Sequence, residues 1–197
     1  MAVTSTAASS SIDVCSRALI LIGAEPITSF DDNNNEALIA SNMYEDIARS
    51  ALVNTRWRFA TNQAVLNRLS DSPTGRYDAA YQLPSGWLMT HAVTVNDHPI
   101  EYQTYGNKLF CNEGANSELI LDYTYRAEEQ DWPSYFTIAV EYELAAVFAV
   151  GLARDQSLAQ LMTQQAQVSM MKARGLDSQQ QTTRKLSTSR FISNRRT

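Results

Sequence analysis

The sequence predicts an α+β protein: a helical bundle built from both ends of the chain, an inserted small antiparallel β-sheet or barrel unit, and an extended C-terminal arm. Three observations predict it. Apolar residues recur at helical spacing before residue 54 and again after residue 131. Between residues 57 and 126 the pattern turns to alternation, broken every few residues by Gly, Pro, Asn and Asp. From residue 178 the chain is mostly Gln, Ser, Thr and Arg with Leu186, Phe191 and Ile192 as its only apolar points, too few to bury unaided. The boundaries this suggests are 1–70 with 130–175 for the bundle, 71–129 for the β-unit and 176–197 for the arm.

The first helix is expected over residues 11–21. Ser9, Ser10 and Ser11 offer an N-cap, Ile12, Cys15, Leu19 and Ile22 recur at 3, 4 and 3, and Gly23 can end it. Asp31-Asp32-Asn33-Asn34-Asn35 supplies capping chemistry for a second helix, in which Ala40, Tyr44, Ile47 and Ala51 repeat at 4, 3 and 4 up to about residue 54. Strand-forming residues then dominate 77–83, 87–95, 100–105, 108–111 and 119–125. The breaks are Pro84-Ser85-Gly86, Asn96-Asp97-His98-Pro99, Gly106-Asn107 and Asn112-Glu113-Gly114, short enough to make neighbours antiparallel in a unit of four to five strands.

Asp131-Trp132-Pro133-Ser134 restarts a helix with Pro133 expected in its first turn. Ile138, Tyr142, Ala145, Ala149 and Leu152 follow at 4, 3, 4 and 3, while Leu144, Val147, Phe148 and Val150 fill other faces, which places this helix at the centre of the bundle. A last helix is expected over 156–173, either continuous with the one before it or separate.

With 197 residues, 44% hydrophobic, 19% charged, 7 Gly, 5 Pro and 2 Cys, the chain is too apolar for full disorder, too poor in Gly and Pro for a fibre and too poor in Cys for a disulfide scaffold. Its net charge of -5 is unevenly spread. From Lys172 onward seven basic residues face one acid, a net +6, so the remainder carries -11. No basic and apolar leader is expected in residues 1–11, and residues 144–153 reach about half the length that a membrane helix needs. Cys15 and Cys111 read as reduced, buried residues of a protein made in a cytosol.

His91, His98 and Cys111 lack the helical or Cys-x-x-Cys spacing of a zinc site, and no nucleophile elbow, P-loop or dinucleotide fingerprint is present, so neither metal nor cofactor is expected. Glu128, Glu129 and Asp131 beside Trp132 offer one enzymatic reading, a glycan-cleaving acid pair. Against it, acids just ahead of a helix complement its dipole. The arm's basic residues suit either a polyanion or a protein with acidic grooves, and the second also accounts for the Phe191-Ile192 pair.

Three segments carry a resemblance: Leu19-Ile20-Leu21-Ile22-Gly23-Ala24-Glu25-Pro26-Ile27, then Arg56-Trp57-Arg58-Phe59, then Tyr81-Gln82-Leu83-Pro84-Ser85-Gly86-Trp87-Leu88. In this order they resemble the tail tubular protein A, or head-to-tail adaptor, family of short-tailed bacteriophages, with an Ile-Gly-Glu-like turn, a Trp-x-Phe and a Leu-Pro-x-Asp-x-Leu. Ala24 is inserted before Glu25, and Gly86 stands where the family more often has Asp. The resemblance implies a structural virion protein without enzymatic activity. It would form a ring of twelve subunits between the portal and the tail nozzle, with genomic DNA passing through the lumen unread. An acidic body suits that passage, since a basic lining would hold phosphates. The arm, through Arg184, Lys185, Arg190, Phe191, Ile192, Arg195 and Arg196, would dock on the portal after assembly in the host cytoplasm. A virion-associated glycan-degrading enzyme, another phage neck or completion protein and a regulatory nucleic-acid-binding protein stay open as alternatives.

Overall fold

The computed structural model describes residues 7–70, 73 and 75–180. Helix α1 spans Ser11–Leu21, α2 Asn35–Val53, α3 Ser134–Phe148 and α4 Gln156–Gln179. Seven strands are found among the described residues: β1 Thr61–Val65, β2 Ala79–Gln82, β3 Trp87–Val95, β4 His98–Pro99, β5 Gln103–Tyr105, β6 Lys108–Cys111 and β7 Ile120–Tyr125. The α+β class and the helical bundle drawn from both ends of the chain are as the sequence predicts.

Helix α1 begins where Ser10 accepts the Asp13 amide through its side chain, and Asp13 in turn accepts the Ser9 amide. It ends at Gly23, whose φ of 75° lets the Ala24 amide fold back 3.0 Å onto the Leu19 carbonyl. Helix α2 is capped by Asn34, whose Oδ1 accepts the Ala37 amide at 2.8 Å. Its buried face is Ala37, Ala40, Tyr44, Ala48, Ala51 and Leu52. This face is rotated slightly from the expected stripe: Ile47 is half-buried and Ala48 takes the interior, because small residues let α2 lie close to its neighbour.

Helix α3 packs against α1, α2 and α4 and carries the core on Phe136, Ala139, Val140, Leu144, Ala145 and Phe148. The expected stripe is corrected at one end, where Ile138 stands 47% exposed. Pro133 caps the helix from outside its first turn. Residues Ala149–Ala153 form a π-helical turn, Arg154 adopts φ 52°, and Asp155 caps α4 by accepting the Ser157 and Leu158 amides. So α3 and α4 are two helices folded into a hairpin. Helix α4 also runs six residues past the expected end at 173, and residues 176–179, assigned in sequence to the arm, are its last turn.

The β-unit comprises two antiparallel sheets, ordered β1-β7-β3-β4 and β2-β6-β5. Leu66, Tyr81, Leu83, Val93, Leu109, Leu119 and Leu121 from both sheets close over a core of their own. Strand β1 lies outside the expected range of 71–129 and moves the start of the unit back to residue 61. It pairs in register with β7, Thr61 opposite Thr124 through Val65 opposite Ile120, and its mostly exposed residues give no apolar alternation to read. Strand β4 falls in a segment expected as a turn; Asn96 and Asp97 at φ 52° and 64° make the tight reversal that pairs it with β3.

Candidate functional site

The arm residues Arg184, Lys185, Arg190, Phe191, Ile192, Arg195 and Arg196 lie outside the described residues. The root from which they continue is built from the last turn of α4. Asp177, 5% exposed, accepts the Arg58 amide at 3.3 Å on each oxygen and the Tyr135 hydroxyl at 3.0 Å. Burial first, and the Asp177 carboxylate second, push the Tyr135 hydroxyl up to about 12. The C-terminal end of α4 is thereby pinned to the beginning of α3 and to the loop that leads into the β-unit.

Of the acids Glu128, Glu129 and Asp131, Glu129 is the one held in an ion network. Glu129 opens a short 3-10 turn and receives two donors: the Tyr44 hydroxyl at 2.6 Å and Arg126 Nη2 at 2.6 Å. Arg126 also donates to Glu45 from Nε at 3.1 Å and Nη2 at 3.0 Å, to the Ala127 carbonyl from Nη1, and lies over Trp132 at 5.5 Å. Burial alone would lift the Glu129 carboxyl, but Tyr44 and Arg126 hold it below the usual range. Burial likewise works against the Arg126 charge, and Glu45 and Glu129 outweigh it, so its pKa rises. A general acid needs a carboxyl held protonated near neutrality, and Glu129 is held the other way. The Glu128 side chain accepts from the Gln130 side chain at 2.9 Å. Glu129 also serves an ion network joining the end of β7 to α2. That network was not legible beforehand. Arg126 sits at the end of a strand, and its partner Glu45 is 81 residues away.

The histidines and Cys111 stay apart. His91 on β3 shares a 2.7 Å hydrogen bond between Nε2 and Thr124 Oγ1, His98 is exposed in the β3–β4 hairpin, and Cys111 is enclosed between the sheets. Burial, then the Arg56 charge, keep the His91 ring below the ordinary range. Among the described residues no group of three or more His, Cys, Asp or Glu is placed to hold a metal ion. Cys15 and Cys111 are free and buried, as expected, and burial with the nearby Glu129 charge pushes the Cys15 thiol up to about 12.

Two surface features remain. The outward face of α4 carries Leu161, Val168 and Met171, spaced by 7 and 3, opposite the buried Ala159, Met162, Ala166 and Met170. At the α3–α4 turn, an apolar groove of about 610 Å³ runs between Leu38, Ile39 and Met43 of α2, Val147 and Val150 after the middle of α3, and Thr163 of α4. Gly151 forms part of its floor, where an added Cβ would stand 3.3 Å from Ile39 Cδ1. Leu38 and Val150 on its rim are 61% and 63% exposed. These were missed in sequence because each reads as one more apolar residue of a core helix.

Residues Ser134–Ala153 are long and apolar enough to cross a membrane by composition, more than the shorter run noted in sequence; half of that window is buried against the neighbouring helices, as befits a central core helix. No model of a known protein family matches the chain, and no curated protein does either.

Proposed function

We propose that this protein is a structural head-to-tail adaptor of a phage virion, forming a ring between the portal and the tail nozzle around the DNA exit channel, without enzymatic activity or cofactor. The observation that carries the reading is where the resembling segments fall. Trp57 is fully buried, donates from Nε1 to the Ala51 carbonyl at 2.8 Å and meets Phe136 edge-on at 5.0 Å. Phe59 joins the same aromatic group, and its carbonyl accepts the Tyr125 hydroxyl at 3.1 Å. The Gly86 carbonyl accepts the Arg126 amide at 2.8 Å, and Leu88 packs against the bundle core. Two of the three segments thus build the joint between bundle and β-unit, while the first closes α1. Residues that define an architecture in this way fit an assembly component better than a reaction centre.

Two further features support it. The apolar stripe on α4 and the exposed Ile20 and Leu21 of α1 occupy different flanks of α3, which suits the head-to-tail contacts of a closed ring. The acidic part of the chain suits a lumen that DNA traverses without sticking. The basic arm then docks on the portal, in a virion assembled in the host cytoplasm. Mixing purified protein with portal assemblies and imaging them tests this: a ring on the portal is expected. Absence of any complex refutes the adaptor reading, and undiminished binding after deletion of residues 181–197 refutes the arm's part in it.

A further inference from the structure

The apolar groove at the α3–α4 turn has an occupant within reach. Helix α4 lies antiparallel to α3, so its end is pinned at Tyr135 while Thr163 lines the groove. From Gln179 back to Thr163 is roughly 24 Å at 1.5 Å per helical residue. The eleven residues 180–190 can span up to about 36 Å, which brings the next two, Phe191 and Ile192, to the groove of the same chain. Charge favours the same match. Leu38 also borders a smaller pocket of about 240 Å³ lined by Asp32, Asn33 and Asn34, and Asp31, Asp32 and Glu36 are three acids within six residues there. The sequence beyond residue 180 holds Arg184, Lys185, Arg190, Arg195 and Arg196 with no acid.

We propose that the groove is the seat of the chain's own C-terminal segment, with Phe191 and Ile192 against Leu38, Met43 and Val150 and the flanking arginines along Asp31, Asp32 and Glu36. The apolar pair supplies burial and the arginines fix its direction. The proposal stands independently of the adaptor reading. Where both hold, the groove and the portal compete for one segment, and the free subunit keeps its arm folded back until a partner draws it away.

The test uses the full-length chain with a photocrosslinking benzoylphenylalanine at position 191. Irradiation is expected to join position 191 to residues 38–43 or 147–151 within a single polypeptide, and Leu38→Glu, at an exposed site, is expected to lower the yield at least fivefold. Links to other surfaces, links between two chains, or none overturn the proposal. As a second reading on the otherwise intact protein, Phe191→Ser with Ile192→Ser is expected to speed hydrogen exchange of residues 38–43 severalfold, and unchanged exchange overturns it as well. Loss of portal binding with the crosslink retained would count against the adaptor reading alone.

Discussion

Replacing Arg126 by Met keeps the volume over Trp132 and removes the charge that Glu129 and Glu45 share. A pair of charges about 4 Å apart attracts by about 4 kcal/mol at an effective dielectric near 20, and desolvating the two groups offsets much of that. What the substitution exposes is the other half of the balance. The Glu129 side chain is only 15% exposed, so its carboxylate is left without a charged partner, whereas Glu45 at 45% can turn to water. Fully buried pairs lose about 3–5 kcal/mol when broken, and discounting for the solvated partner gives about 2–3 kcal/mol here. For a chain of this size that lowers Tm by roughly 5–10 °C. Thermal and urea melts at pH 7 measure it, and Glu129→Gln in the Arg126→Met background should recover about 1 kcal/mol or more. The pH dependence has a definite sign. Glu129 and Glu45 both have folded pKa values below their unfolded ones, so their contribution is complete above about pH 4.5 and is lost as the pH falls through the lower, folded values. The penalty of Arg126→Met should shrink in that acid window. A cost under about 0.5 kcal/mol at pH 7, or one that Glu129→Gln leaves unchanged, refutes the account of the joint.

Other expectations can be checked with simple variants. Glu141 is buried on α3 with Arg17 Nη1 at 3.6 Å and no hydrogen bond to its Oε1; burial raises its pKa, so the folded state favours its protonated form. Stability from that group therefore declines as pH rises above its unfolded value. Glu141→Gln should be neutral to stabilising by about 1 kcal/mol at pH 7 in urea melts, and a loss of more than about 1 kcal/mol would count against it. Cys15 and Cys111 should stay silent to a thiol reagent at pH 8 in the native protein and react fully in urea; rapid native labelling of either contradicts their enclosure. Gly86 has φ 74° with no atom nearer than the Arg126 amide at 4.0 Å to a Cβ, so Gly86→Ala should cost about 1–2 kcal/mol by backbone strain alone. Asp177→Asn should cost about 1–2 kcal/mol and speed hydrogen exchange of the last turn of α4, leaving the sheets unchanged.

Where local chemistry decides, the chain is readable. Helix α1 starts and stops at the residues expected because a serine cap and a left-handed glycine are both written within fourteen residues, and β3 and β6 match because turn residues bracket them. Where partners decide, it is not. Strand β1 exposes Asn62, Gln63 and even Val65, and exists because β7 offers it a free edge. The break between α3 and α4 falls in an apolar run whose periodicity continues straight through it; a π-helical turn around Gly151 and Arg154 at positive φ reverse the chain, and the left-handed residue itself is not a Gly. Helix α4 extends past the expected end because Asp177, which looks like a solvent residue in a polar run, finds Arg58 and Tyr135. Among the candidate site residues, the acids 128, 129 and 131 could be named from sequence, but the role of Glu129 rests on Arg126 and Tyr44, which only the tertiary fold brings together with it.

The chain crosses between bundle and β-unit twice, at residues 54–60 going in and 125–133 coming out, and the two crossings are fastened side by side. The Tyr125 amide bonds the Ala60 carbonyl at 2.9 Å while Trp57 and Trp132 both clasp Phe136. A load on the β-unit is therefore shared by two strands in parallel and passed to one aromatic anchor, instead of peeling a single linker open. Tension and torque travel through this joint as through a double-stranded tendon, and the two halves answer a push as one lever.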